Sequence, residues 1–130
     1  MNKIIKISLF LILLYLIYNH TFNKIIENND TLIKVEKSII NLGEINEKDE
    51  AIAIFKIINI SLNNIIIERV ESDCHCTIIN LKEKIISPKE NIEITLKYDK
   101  SSKGFFEQTA IIYLKNSPTE KLLIMRGVIL

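Results

Sequence analysis

The sequence predicts an all-β domain, a sandwich or barrel of about seven strands, behind an N-terminal membrane-anchor helix. Three observations predict it. Beyond residue 31, short runs rich in Ile, Val, Phe and Tyr recur between Asn, Asp, Ser, Gly or Pro, the spacing of a sandwich or barrel rather than of long helices. The cleanest run, Asn91 to Asp99, alternates strictly, with Ile92, Ile94, Leu96 and Tyr98 against Asn91, Glu93, Thr95 and Lys97, so one face is buried and one is wet. Finally, the apolar run at the start of the chain is separate from this pattern and is set apart before the fold is considered.

That first segment, residues 1–18, has Lys3 and Lys6 ahead of an uninterrupted apolar run from Ile7 to Tyr18, the pattern of a signal anchor or signal peptide. The run is short for a span of roughly 20 residues. Tyr15 and Tyr18 suit an interfacial belt, and the lysines predict a cytoplasmic amino end. Neither an Ala-x-Ala site nor a lipid-accepting cysteine follows Tyr18, which favours an uncleaved anchor. Residues 19–31 turn polar and read as a tether. Residues 32–130 are the sandwich; 130 residues in all suit a single folded domain.

Within the sandwich, Leu32 to Ser38 and Ile39 to Ile45 supply edge material. Ala51 to Asn59 is apolar on both faces, although Lys56 marks the even positions as outward and leaves Phe55 and Ile57 inside; a central strand reads this way. A turn at Ser61 to Asn64 leads into Asn64 to Ser72, whose apolar phase shifts between Ile67 and Val70, as a β-bulge would produce. Gly104 to Asn116 and Lys121 to Leu130 are joined by Asn-Ser-Pro-Thr-Glu, a hairpin signal, and pairing with its neighbour covers the very apolar last strand.

Composition narrows the function. With 17 Lys+Arg against 16 Asp+Glu, scattered rather than striped, there is no basic field to collect nucleic acid. A hydrophobic content of 48% excludes a disordered chain. Glu44, Glu47, Asp49 and Glu50 lack calcium-loop spacing and read as a solvated loop. Asp73 and Asp99 sit at different strand ends, with no acid–base pairing. The Asn-x-Ser/Thr triplets at Asn19, Asn29 and Asn59 are expected by chance in an asparagine-rich chain. Neither a Gly-rich phosphate loop nor a Gly-x-Ser-x-Gly elbow occurs. The expectation is a protein without catalytic residues, cofactor or small-molecule substrate.

"NLGEI", "FKIINISLNNIIIERVESDCHCT", "ISPKENIEITLKYD", "KGFFEQTAIIYLKN" and "LIMRGVI" follow one another from Leu42 to Ile129. In this order they resemble the opening phenylalanine-glycine strand, F-x-F-x-N-x-G, C-G-C-T, P-G-E and closing glycine strand of the bacterial domain of unknown function 1573 family. The resemblance implies an exported immunoglobulin-type sandwich related to major sperm protein and Hydin domains, without an established function. The chain departs from the pattern at Leu42, at Ser61 and Asn64, at His75 between the cysteines, and at Lys89 within Pro-Lys-Glu. A glycine position needing φ > 0 is costly for a residue with a Cβ, though His tolerates the left-handed region better than most.

Cys74 and Cys76, the only cysteines, are the candidate site. In a regular strand they would share one face with His75 on the other, and their Cα atoms would stand about 6.5 Å apart, near the far end of the disulfide range. A bridge therefore needs a bend, and its small ring favours lability over stabilisation. Four readings stay open: buried structural sulfur, a redox or disulfide pair in an oxidising compartment, a soft-metal site such as Cu(I) completed by another ligand, and a nucleophile aided by His75. The functional expectation is a single-pass protein of the cytoplasmic membrane with its C-terminal domain outside, periplasmic or extracellular. There it would serve as a binding or assembly module for an envelope protein, and the rival reading is a thiol-redox or copper-handling protein that uses Cys74 and Cys76.

Overall fold

The computed structural model describes residues 2–28, 32–100 and 102–130. They form two compact units, residues 1–31 and 32–130 by their contacts. The first is a single helix, α1 (Asn2–Asn28). Its window Asn2–Thr21, 20 residues with mean hydropathy 1.6, is long and apolar enough to cross a membrane. That length and composition suit a membrane anchor and an export signal equally. The helix continues well past Tyr18, where the apolar run stops. Residues 19–28 of the stretch read as a polar tether are part of this helix, and residues 29–31 lie outside the described residues.

The second unit contains β1 (Ile33–Val35), β2 (Ile39–Ile45), β3 (Ala51–Asn59), β4 (Ile65–Ser72), β5 (Thr77–Leu81), β6 (Ile85–Ile86), β7 (Asn91–Tyr98), β8 (Gly104–Leu114) and β9 (Glu120–Ile129). One sheet has the order β1-β3-β7-β5 and the other β2-β9-β8-β4-β6. Seven of these strands lie on the runs that the sequence marks; β5 and β6 are additional. Both are short, β6 with only two residues, too brief to show alternation, and both exist because β7 and β4 offer them an edge to pair with.

Side-chain parity explains the layers. In β3 the odd positions, Phe55 and Ile57 among them, are buried, while Ile54 is exposed and Lys56 partly so. The strand is central, between β1 and β7. Along β7 the apolar set Ile92, Ile94, Leu96 and Tyr98 points inward. Facing it from the second sheet are Ile67, Ile112, Leu123 and Met125, each fully buried. Each such side chain contributes about 1.5–3 kcal/mol by leaving water, which is why these strands exist away from solution only as a sandwich. The ladder of β4 on β8 shifts register between Ile67 and Arg69, the bulge that brings Val70 back into inward phase opposite Ile112.

β8 and β9 form an antiparallel hairpin whose connection contains Asn116 at φ 57°. β9 is not an edge: β2 runs parallel along its other side. Gly127 makes that close approach possible, because a Cβ there would stand 2.9 Å from the Gly43 carbonyl oxygen and 3.0 Å from the Phe106 ring. The ring cannot retreat, since it stacks on Tyr98 of the opposite sheet with centroids 4.5 Å apart.

At the other end of the sandwich, Asn59 is fully buried yet saturated with hydrogen bonds. Its Nδ2 donates to the carbonyls of Asn63 at 2.8 Å and Ile86 at 2.7 Å, and its Oδ1 accepts from Ser61 N–H at 2.9 Å and Ser61 Oγ at 2.8 Å. This one side chain fixes the turn after β3 and holds β6 in place. Beside it, Glu90 N–H donates to Ser87 O at 3.0 Å, closing a turn with Lys89 at φ 67°, the type II geometry that glycine serves best. The departures at Lys89 and His75 thus have different consequences. Among the described residues the non-glycines with positive φ are Lys89 and Asn116; His75 adopts an ordinary conformation.

Candidate functional site

Between β4 of one sheet and β5 of the other the chain crosses the sandwich through residues 73–76. Here the structure has a turn rather than a continued strand. The bend brings the Cα atoms of Cys74 and Cys76 to 5.2 Å and joins their sulfurs in a disulfide. Its backbone is held independently of that bond. Thr77 N–H donates to Cys74 O at 3.2 Å and Asp99 N–H to Cys76 O at 2.7 Å. Ser72 Oγ donates to Cys74 O at 3.0 Å and accepts Cys74 N–H at 3.2 Å.

The two sulfurs have different surroundings. Cys76 N–H points at Cys74 Sγ, 3.1 Å away. Cys76 Sγ instead lies 3.3 Å from Gln108 Oε1, a close sulfur–oxygen contact because the bonded sulfur has no proton to donate. That oxygen also accepts the Thr77 hydroxyl at 2.8 Å. Cys76 packs against the core, while His75 at the tip is exposed. Gln108 is missing from the sequence-derived site. Its signal was a polar residue at an inward position of β8, between the buried Phe106 and Ala110.

The remaining sequence candidates are distributed elsewhere. Asp73 Oδ1 accepts Thr109 N–H at 3.4 Å, and Asp99 enters the site through its amide, which donates to Cys76 O. The acidic loop is held by lysines. Lys100 Nζ donates to the carbonyls of Asn46, Glu47 and Asp49, Lys97 pairs with Glu50, and Lys103 lies 3.5 Å from Glu47. Among the described residues, groups of three or more His, Cys, Asp or Glu placed to hold a metal ion are lacking. A disulfide closing a three-residue loop constrains the unfolded chain little, about 1.6 kcal/mol from loop entropy.

A second feature is the outer face of the five-stranded sheet. Pairing places Phe105 opposite Val128, Thr109 opposite Ile124, and Ile111 opposite Leu122, and Ile39 beside Ile124. Phe105 is 69% exposed, Ile39 48%, Leu122 47% and Val128 37%. The Glu107–Arg126 pair crosses this apolar surface. At one margin the Arg69 guanidinium lies 3.9 Å over the Tyr113 ring; its hydrogen bond to Glu71 pushes its pKa up.

Two facing sheets with this strand order define an immunoglobulin-like β-sandwich of the kind found in major sperm protein and PapD-like domains. Residues 33–129 match the family described as "Protein of unknown function (DUF1573)". The chain belongs to that family. No curated protein matches it in sequence. Among solved structures it is similar to a protein of unknown function from Porphyromonas gingivalis W83, with TM-score 0.65 and 9% identity over 75% of this chain and 46% of that one. It thus spans about half the length of that protein. It is also similar to the human CEP192 ASH/PapD-like domain 7, with TM-score 0.65 and 6% identity over 78% of this chain and 87% of that one. A C. elegans major sperm protein family member, WR4, has TM-score 0.55 and 10% identity over 76% of this chain and 98% of its own. At these identities the likeness is one of fold.

Proposed function

We propose that the chain is a non-catalytic binding or assembly module, tethered to the cytoplasmic membrane by α1 and displaying its sandwich outside, where it engages an envelope protein. The observation that carries this reading is the outer face of the β2-β9-β8-β4-β6 sheet. Soluble domains rarely leave several large apolar side chains side by side on one sheet face, and contiguous patches of this kind mark protein contacts. Here Phe105 and Val128 form one exposed apolar pair, and Ile39 and Leu122 lie beside Ile124 in a second group, with Glu107 and Arg126 between the two to set register with a partner. The 20-residue helix window Asn2–Thr21, with mean hydropathy 1.6, supports the tether.

The test is site-specific photocrosslinking in intact cells. A photoreactive amino acid at Phe105 or Leu122 is expected to give one discrete adduct with an envelope protein, and the same amino acid at Lys48 in the exposed loop is expected to give none. Equal adducts at all three positions, or none at any, would overturn the reading. Added protease should also digest the sandwich in cells with a permeable outer layer; full protection would place it on the other side of the membrane.

A further inference from the structure

The Cys74–Cys76 turn joins three observations that the binding role leaves unused. The bridge adds little constraint to the chain, because its partners are two residues apart. The turn that brings the cysteines together is held by the Ser72, Thr77 and Asp99 hydrogen bonds. It therefore keeps the two thiols within reach when the bond is open. The sulfurs are also unequal: an N–H donates to Cys74 Sγ, whereas a carbonyl oxygen faces Cys76 Sγ. A donor favours the thiolate and an acceptor favours the protonated thiol.

From these we infer that Cys74–Cys76 is a reversible thiol–disulfide exchange site for cysteine thiols and disulfides of other polypeptides, with Cys74 as the nucleophile and Cys76 as the resolving thiol. In the reduced form the Cys74 thiolate attacks one sulfur of a partner disulfide. A Cys74–partner bond forms, the partner's S–S bond breaks, and its second sulfur leaves as a thiolate. Cys76, after losing its proton to solvent, then attacks Cys74 Sγ. This forms the internal bridge and releases the partner's first sulfur, so the partner gains two electrons and this chain loses two. The reverse sequence oxidises a partner dithiol. Gln108 is a positioning residue: its Oε1, fixed by the Thr77 hydroxyl, receives the Cys76 S–H in the reduced state. The exposed His75 at the tip leaves the turn open to an incoming chain.

The experiment uses the full chain in mild detergent. The native oxidised protein is treated with millimolar reduced glutathione and free thiols are counted. The bridge is expected to open and to close again with glutathione disulfide; a bond that stays closed in the native protein and opens only in denaturant overturns the exchange. Reduced wild-type protein is then labelled with limiting iodoacetamide and mapped by peptide mass. Cys74 is expected to react severalfold faster, because the N–H donor at its sulfur favours the thiolate, the form that alkylates. Equal labelling, or faster labelling of Cys76, overturns the assigned roles. Cys76→Ser with glutathione disulfide should accumulate one glutathione on Cys74, whereas Cys74→Ser should acquire it more slowly. The wild-type labelling ratio decides the roles even where either variant folds poorly.

Discussion

Replacing Asn59 with alanine should remove a large part of the domain's stability margin. The substitution breaks four hydrogen bonds and opens space at a fully buried position. The Ile86 carbonyl, in the buried bond, loses its partner beyond the reach of water, at about 1–3 kcal/mol. The three part-buried contacts cost about 0.5–1 kcal/mol each, since water can replace some of what is lost. The expected total is about 4 kcal/mol, against about 5–15 kcal/mol for a domain of this size. Urea unfolding of the full chain in detergent, followed by far-ultraviolet circular dichroism, should show the midpoint about 3 M lower at an m-value near 1–1.5 kcal/mol/M. Asn59→Asp sharpens the test. It keeps both acceptor contacts with Ser61 but turns a carboxylate oxygen toward the Asn63 and Ile86 carbonyls. Protonation restores a donor, so the native pKa of that carboxyl lies above its unfolded value of about 3.9. The native state then binds more protons than the unfolded state, and the deficit shrinks as pH falls from neutrality. A loss below about 1 kcal/mol in Asn59→Ala would refute the reasoning, because it would mean that water satisfies the site as well as the amide does.

Two further substitutions probe the backbone. Gly127→Ala places a Cβ within 2.9 Å of the Gly43 carbonyl oxygen and 3.0 Å of a Phe106 ring backed by Tyr98, so a loss of about 1–3 kcal/mol is expected; an unchanged Tm would show that β2 can move away freely. Lys89→Gly relieves the left-handed conformation at φ 67° and should stabilise by about 0.5 kcal/mol, the left-handed cost being partly offset by the greater unfolded-state freedom of glycine. A lower Tm for this variant would mean that the Lys89 side chain contributes more than its backbone strain costs.

The outer face and the crossover turn sit on different parts of one scaffold, and the core has different demands at each. Outward positions of β8 and β9 can vary without disturbing the inward set, because successive side chains point to opposite faces. Apolar residues there are therefore not explained by packing. The crossover must carry the chain from one sheet to the other while leaving few polar groups unpaired. Gln108, Ser72 and Thr77 satisfy that requirement and, in doing so, surround the sulfurs.

Alternation alone was enough to read the layers: the period of two in residues 91–98, the outward phase set by Lys56, and the phase slip between Ile67 and Val70 each correspond to a feature of the sheets. The strong hairpin signal at Asn116 and Pro118 likewise reflects local backbone preference, which travels with the sequence. The short strands β5 and β6 and the parallel alignment of β2 on β9 were not legible, because strand pairing joins residues far apart in the chain and a two-residue strand has no period of its own. The same holds for the site. Two cysteines one residue apart are visible in any reading, but whether they share a strand face or meet across a turn depends on where the crossover bends. Hydrogen bonds of Ser72 and Asp99, together with the sulfur–oxygen contact of the distant β8 residue Gln108, define that bend and its surroundings, and only the assembled sandwich brings them together.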